Sequence, residues 1–218
     1  MWALIRKDLQ IEFRTKETLA SLLLLGLLTL VVLSFAFDPT SELRSEAAPG
    51  ALWVAVIFAG VLGLNRSFLA ERENECLQGL LLCPIDRGTI YLAKAVGNFV
   101  FMMVAQLFIV PIFVFFFNLP MTGMGGVFLT VALGVLGFAA LGTLFAAVTV
   151  RTRAREVMLP LLLLPLVVPI FIAGVQVTAH LLAGKPLAEV APWVNLMLGF
   201  DVIFLVVGWL VFEYAVEE

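Results

Sequence analysis

Six long apolar runs divide the sequence and constrain its fold more than any other feature. They lie at about 18–37, 50–69, 95–117, 122–149, 157–179 and 194–213. Each run is long enough to cross a hydrocarbon core of roughly 30 Å as a helix. A segment inside lipid must be a helix or part of a closed barrel, because lipid offers backbone groups no hydrogen-bond partner. Since the runs lack two-residue alternation, the sequence predicts an all-α membrane protein with six transmembrane helices.

The overall composition agrees with a bilayer as the main solvent. Of the 218 residues, 62% are hydrophobic and 13% are charged, whereas a soluble domain is about 45–50% apolar. Such a chain lacks the polar surface needed to cover a water-soluble globule. We therefore expect extensive contact with membrane lipid and no nucleic-acid partner.

Basic residues are concentrated before the first run and in alternate loops. Eleven of the 13 lysines and arginines lie there, and only Arg44 and Lys185 lie in the other loops. Cytoplasmic loops of membrane proteins carry an excess of these residues. The pattern predicts that both termini are cytoplasmic and that the loops at 38–49, 118–121 and 180–193 face outward.

The polar stretch before the first run has a helical periodicity. Trp2, Ile5, Leu9 and Phe13 recur at spacings of three, four and four residues, and polar residues occupy the neighbouring face. This pattern predicts an N-terminal interfacial amphipathic helix whose apolar side faces the bilayer. A plain extension of the first spanning helix is the alternative.

Residues 66–94 form the longest polar interruption of the chain. The acidic part of this segment contains Glu71, Glu73 and Glu75. Glutamates avoid lipid, so the second helix should continue into the cytoplasm there. Leucines at helical spacing follow, and Pro84 is predicted to end that helix. Asp86-Arg87-Gly88 should then form a turn, with Thr89 as the cap of the third spanning helix.

The sequence thus predicts a short cytoplasmic coupling helix between spans 2 and 3. Its apolar face favours docking to a cytoplasmic partner, and folding back onto the bilayer surface is the alternative. The residues expected to make the docking contact are Leu77, Leu80, Leu81 and Pro84. The residues expected to orient the contact are Glu71, Glu73, Asp86 and Arg87.

The fifth run contains three prolines, Pro160, Pro165 and Pro169. Each proline removes a backbone donor and bends its helix. The three prolines indicate either a hinge or a helix that wraps around its neighbours.

Two further features lie inside the spans. The fourth run is rich in glycine and alanine, and Gly142 with Ala146 forms a small-xxx-small pair. Such residues allow helices to approach closely, within the subunit or across a homodimer seam. Asp201 is the one clear charge inside a span. It marks a candidate intramembrane polar site, unless it reaches the interface.

Several kinds of chemistry lack the residues that they need. No Walker pattern is present, because Gly184-Lys185 is followed by Pro186. The single histidine, His180, cannot form a bis-histidine heme site or a histidine-based metal cluster. No catalytic set of serine, histidine and aspartate can be assembled. We expect a non-catalytic subunit that binds no metal and no cofactor of its own.

Three stretches together resemble a known family. They are Ala48-Pro49-Gly50-Ala51-Leu52-Trp53-Val54-Ala55, the segment from Glu71 to Lys94, and Leu164-Pro165-Leu166-Val167-Val168-Pro169. With the polar N-terminal helix and six spans, they resemble ABC-2 type transporter permeases. More narrowly, the chain is similar to the CcmB family, the membrane subunit of the heme exporter of cytochrome c maturation. The resemblance covers essentially the whole chain, as one ABC-2-like transmembrane domain at 1–218.

The resemblance implies partners and a mechanism. Family members work with a separate ATPase subunit (CcmA), which binds the ATP, and with the membrane proteins CcmC and CcmD. In that family the complex is tied to ATP-driven release of the heme-loaded chaperone CcmE. Heme is then a possible cargo, the membrane is the bacterial inner membrane, and segment 66–94 is the ATPase-docking surface. A second copy of the chain is expected, because one six-helix chain supplies half of an ABC transmembrane region.

Two other functions are open at this point. The first is an ABC-2 exporter of lipid, polysaccharide or drug. The second, from a different class, is an ATP-independent secondary transporter. A membrane oxidoreductase is disfavoured, because the chain lacks a set of cofactor ligands.

Overall fold

The fold is described from a computed structural model of the chain. The structure describes residues 2, 5–6, 16–37, 42–73, 86–119, 123–149, 155–185 and 187–217. Within the N-terminal stretch, Trp2, Ile5 and Arg6 are helical, with Ile5 buried and the other two exposed.

Six long helices account for most of the described residues. They are α1 Lys16–Ala36, α2 Glu42–Glu73, α3 Arg87–Phe117, α4 Met124–Thr149, α5 Arg155–Leu182 and α6 Ala191–Glu217, with a 3-10 turn at Leu187–Val190 before α6. All six are long and apolar enough to cross a membrane. The predicted all-α class with six transmembrane helices is confirmed.

Two helices begin earlier than the apolar runs indicate. The second begins at Glu42 and continues through Pro49, in a stretch that the sequence assigns to an outward loop. The third begins at Arg87 rather than near residue 95. Lys94, counted among the loop's basic residues, consequently lies inside α3 and is buried. Hydropathy marks the lipid-crossing part of a helix, whereas polar turns can extend it at either end.

Contacts between glycines and side chains of other helices show the relative directions of α2, α4 and α5. The ring of Phe138 on α4 lies against Gly60 of α2, and Leu64 of α2 lies against Gly142 of α4. The two helices are therefore parallel. By contrast, Gly126 at the start of α4 faces Leu181 at the end of α5, so α4 and α5 are antiparallel.

The fourth helix lies at the centre of the bundle. Within its most apolar window 72% of residues are buried, against 22% for α1 and 17% for α6. Gly134, Gly137 and Gly142 each face a side chain from another helix. The small residues of α4 therefore serve close packing within the subunit.

A polar cluster ties three helices together at the end of the bundle opposite Lys16. Arg44 on α2 donates from Nη2 to Ser34 Oγ on α1 at 2.9 Å and also to the Phe116 carbonyl oxygen on α3. Its guanidinium lies 5.7 Å from the centroid of the Phe117 ring. These contacts fix the start of α2 against its neighbours.

Candidate functional site

The predicted coupling segment lies only partly within the described residues. Leu77, Leu80, Leu81 and Pro84 lie outside the described residues, so their docking role stays a prediction. The backbone of Glu71 and Glu73 belongs to the last turn of α2, and their side chains also lie outside the description. The described part of this site begins at Asp86.

Asp86, rather than Thr89, is the cap of α3. Its carboxylate accepts hydrogen bonds from Thr89 N at 3.0 Å and from Thr89 Oγ1 at 3.4 Å. Its backbone is non-helical, with φ −56° and ψ 132°. The predicted cap at Thr89 is therefore wrong, because Thr89 occupies the third helical position and supplies the donor. A carboxylate at this place is also stabilised by the positive end of the helix dipole.

Two glycines allow the start of α3 to lie very close to α6. A Cβ at Gly88 would overlap the indole ring of Trp209 on α6. A Cβ at Gly208 would overlap the phenol ring of Tyr91 on α3. Each glycine therefore faces an aromatic ring from the other helix, and the two helices interlock there.

Tyr91 connects the start of α3 to two other helices. Its hydroxyl lies 3.0 Å from the carbonyl oxygen of Ala140 on α4 and 3.2 Å from that of Phe204 on α6. The phenol ring is fully buried and lies 5.6 Å from the ring of Phe212. Tyr91 belongs to a small apolar cluster that is separate from the main core. Its members are Ile90, Tyr91, Ala95, Leu144, Ala147 and Phe212. We call residues 86–91 with this cluster the α3 base.

A second feature is an apolar groove between α2 and α5, with a volume of about 640 Å³. Its lining residues are Gly50, Trp53, Val54, Ile57, Leu164, Pro165, Val168, Phe171, Ile172, Val175 and Gln176. Its rim is at the protein surface, because Val54, Val168 and Ile172 are 37%, 47% and 49% exposed. We call this feature the α2–α5 groove. It brings together two of the stretches that carry the family resemblance, 48–55 and 164–169.

Trp53 forms the back wall of this groove. Its ring lies between Gly134 of α4 and Gly174 of α5, where a Cβ on either glycine would overlap it. Its Nε1 donates to Thr178 Oγ1 at 3.1 Å, and its ring centroid lies 5.7 Å from that of Phe171. The wall is therefore held by packing on both sides and by a buried hydrogen bond.

The three prolines of α5 lie within one continuous helix from Arg155 to Leu182. Pro165 contributes to the α2–α5 groove. Pro165 and Pro169 are exposed, and Pro160 is half-buried. Their role as a hinge stays a prediction.

Asp201 is buried inside the bundle rather than exposed at a helix end. Its side chain is 3% exposed, and both carboxylate oxygens lack a hydrogen-bond partner among the described residues. Gly137 of α4 is so close that a Cβ there would overlap Asp201 Oδ1. The surroundings are apolar, with Ile170 and Phe200 next to the same point.

His180 is engaged by its own helix. Its Nδ1 donates to the carbonyl oxygen of Gln176 at 2.9 Å. Within the described ranges no three residues of the His, Cys, Asp and Glu types are grouped so as to hold a metal ion. The α2–α5 groove likewise has an apolar lining in which Gln176 is the one amide.

Six apolar helices, with α4 at the centre of the bundle, define a multi-pass α-helical membrane protein. A family model described as "CcmB protein" matches residues 1–218, so the chain belongs to the CcmB family. The resemblance seen in the sequence is thereby confirmed.

Curated relatives agree with this assignment. The chain is 28% identical to heme exporter protein B of Pseudomonas aeruginosa, over 84% of this chain and 82% of that one. It is 28% identical to heme exporter protein B of Bradyrhizobium diazoefficiens, over 94% and 92% of the two chains. The protein of the same name from Rhodobacter capsulatus is 29% identical, over 88% and 93%.

Proposed function

We propose that this chain is the permease subunit of a heme exporter that serves cytochrome c maturation in the bacterial inner membrane. The observation that carries the proposal is the similarity, over most of both chains, to relatives named heme exporter protein B. The six membrane-length helices support a transport subunit rather than an enzyme.

The α2–α5 groove is the cargo-contacting surface in this proposal. Its volume of about 640 Å³ falls in the range of small-molecule sites, roughly 300–1,000 Å³. Its apolar lining and its aromatic wall suit a flat, largely apolar macrocycle such as heme. Among the described residues, the lining contains no histidine, cysteine, methionine or tyrosine. The groove would therefore hold a heme through its apolar faces and not by ligating its iron.

The force for transport comes, in this proposal, from a separate cytoplasmic ATPase of the CcmA type. The chain has no Walker pattern of its own. The segment 66–94 supplies the docking surface, with Leu77, Leu80, Leu81 and Pro84 in contact with the ATPase. Release of a heme-loaded chaperone of the CcmE type on the outer side, together with CcmC-like and CcmD-like partners, belongs to the same proposal.

The α3 base would carry a displacement of that segment into the bundle. Segment 66–94 includes the cap of α3 at Asp86. Five residues later Tyr91 bonds to α4 and α6, and Gly88, in between, interlocks with Trp209. A push that reaches Asp86 would therefore be passed to α4 and α6 within the first turns of α3.

Orientation and assembly complete the proposal. Both ends of the chain would lie on the cytoplasmic side, which the six alternating spans and the excess of basic residues in alternate loops support. Two copies would pair and present two docking segments to an ATPase dimer. Pro160, Pro165 and Pro169 would let α5 bend as the α2–α5 groove changes its width.

The function is tested in a strain from which the gene has been deleted. We expect c-type cytochromes to fall to background and to return when the wild-type gene is supplied, with b-type cytochromes as the control that does not change. Normal c-type cytochrome content in the deletion strain would overturn the proposal and favour an exporter of lipid, polysaccharide or drug.

The docking surface is tested by the double substitution Leu77→Asp and Leu81→Asp. Two charges on the apolar face should abolish co-purification of the ATPase, because a carboxylate cannot be buried in an apolar contact without a partner. Membrane insertion should be unchanged. The matched control is Leu43→Asp, an exposed leucine in the first turn of α2 at the opposite end of the bundle. Full retention of the ATPase by the double variant would exclude this docking surface.

A further inference from the structure

We propose that Asp201 is a proton-binding site inside the bundle. A proton is held there while α6 is packed against α4 and α5, and it is released when the half of α6 before Phe204, outside the contacts of the α3 base, moves away from α4. This inference goes beyond heme export and does not depend on it.

The first argument is the absence of any partner for the carboxylate. The Asp201 side chain is 3% exposed, and neither carboxylate oxygen has a hydrogen-bond partner within the described part of the chain. An ionised carboxylate in such surroundings has lost its water and gained nothing in return, which is strongly unfavourable. The neutral acid avoids most of that cost.

The second argument is the lack of room for any larger ligand. Gly137 approaches so closely that an added Cβ would overlap Oδ1, and it would lie 2.6 Å from Ile170 Cδ1 and 2.9 Å from Phe200 Cδ1. A metal ion needs several oxygen ligands, and no group of three acidic or metal-binding residues exists among those described. A proton is the one cation that fits this packing.

The third argument is the distance of other charged groups on the elements packed against α6. The fourth helix has no ionisable side chain between Met124 and Thr149. On α5 the ionisable groups are at the two ends, at Arg155, Glu156 and His180. His180 is ten residues from Ile170, or about 15 Å along the axis.

The remaining elements leave Asp201 equally unpaired. On α6 itself Glu213 and Tyr214 are at least twelve residues away, or about 18 Å, and Glu189 is exposed on the 3-10 turn. On α3 the ionisable groups are Arg87, Tyr91 and Lys94, all in its first eight residues. Lys94 is the nearest in register, because α3 runs antiparallel to α6, and neither Lys94 nor Tyr91 is among the hydrogen-bond partners of Asp201 in the described part of the chain.

The geometry links the proton to the position of α6. Asp201 faces Gly137, and one turn further along the same interface Tyr91 bonds to the carbonyl groups of Ala140 and Phe204. An ionised Asp201 needs water, and water reaches it when the half of α6 before Phe204 separates from α4. Loss of the proton and opening of this contact are therefore one event.

Carbon-13 NMR of the full chain in lipid nanodiscs tests the protonation directly, with label on the aspartate carboxyl carbons. The sequence contains four aspartates, Asp8, Asp38, Asp86 and Asp201. At neutral pH we expect one signal at the position of a neutral carboxylic acid, and we expect it to be missing in Asp201→Asn. Four ionised carboxylates in the wild-type protein would overturn the proposal.

The link to α6 is tested by hydrogen–deuterium exchange of residues 197–203 as the pH is raised. We expect exchange in the wild type to rise, relative to Asp201→Asn at the same pH, over the range in which the neutral-acid signal disappears. Exchange that stays equal in the two proteins while Asp201 ionises would contradict the link. Glu213→Gln, at an exposed position of α6, is the control that should leave both the signal and the exchange unchanged.

Discussion

The α3 base and the α2–α5 groove differ in how completely their surfaces are covered. At the α3 base, aromatic rings fill the space beside Gly88 and Gly208, and the buried hydroxyl of Tyr91 has two acceptors. In the α2–α5 groove the back wall at Trp53 is equally well packed, but the rim side chains are exposed. We infer from this difference that the α3 base moves as one rigid body, whereas the α2–α5 groove retains space for another molecule.

The two regions are therefore suited to different roles, the α3 base to transmitting displacement and the α2–α5 groove to changing its width. A rigid connection at the α3 base transmits displacement without loss, because interlocked side chains cannot slide independently. An unfilled groove, by comparison, can change its width at little packing cost. We therefore expect substitutions at the α3 base to affect stability and substitutions in the groove to affect transport.

The largest effect is expected when one substitution, glycine to alanine, is made in both regions. Gly88→Ala should destabilise the protein by about 1–3 kcal/mol, as overpacking does, because the new Cβ overlaps Trp209. Gly50→Ala is the matched change in the groove, where a Cβ meets no described atom within 4 Å. It should be neutral, or stabilising by about 0.5–1 kcal/mol. Thermal unfolding in detergent measures the stability of both variants. Equal melting temperatures for Gly88→Ala and Gly50→Ala would contradict the difference in packing between the two regions.

The next effect is expected from filling the α2–α5 groove. Val168→Trp should lower the c-type cytochrome content about tenfold, the loss that corresponds to roughly 1.4 kcal/mol of binding free energy. Its thermal stability should be unchanged. The control is Val206→Trp on α6, where the valine is 49% exposed, against 47% for Val168. If both variants support normal cytochrome content, the groove is not the cargo surface.

A smaller effect is expected from Tyr91→Phe, which removes only the hydroxyl at the α3 base. The loss should be about 0.5–1.5 kcal/mol in thermal unfolding, since the ring still packs against Phe212. Tyr214→Phe, at a position that is 72% exposed, should have no effect. A melting temperature equal to that of the wild type would mean that the hydroxyl does not hold α4 and α6 to α3.

Much of the fold follows from the sequence, because the six apolar runs are long and well separated. The order and number of the helices are correct for this reason. The starts of α2 and α3 were harder to place, because polar residues such as Glu42 and Arg87 continue a helix beyond its apolar part. The cap at Asp86 does not follow from the predicted turn, although aspartate is among the residues preferred at a helix N-cap.

The candidate sites were less accessible to sequence reasoning. Gly88, Tyr91 and Gly208 matter only because α3 and α6 are neighbours, and no periodicity in the chain specifies which helices meet. The α2–α5 groove has the same origin, since stretches 48–55 and 164–169 are more than 100 residues apart. Asp201 can be singled out in the sequence as a charge within a span, but only the packing shows that its carboxylate has no hydrogen-bond partner among the described residues.

The most direct test of the central claim compares the α3 base and the α2–α5 groove in the same protein while its ATPase partner hydrolyses ATP. Spin labels at Thr89 and Tyr214 report on the α3 base, and labels at Phe58 and Leu161 report on the side of α2 and α5 that carries the groove. Distances are measured in nanodiscs with the ATPase partner, before and after ATP is added. We predict that the Phe58–Leu161 distance changes while the Thr89–Tyr214 distance stays the same. A change at the α3 base with a constant distance across the groove would contradict the division between a rigid base and an adjustable groove.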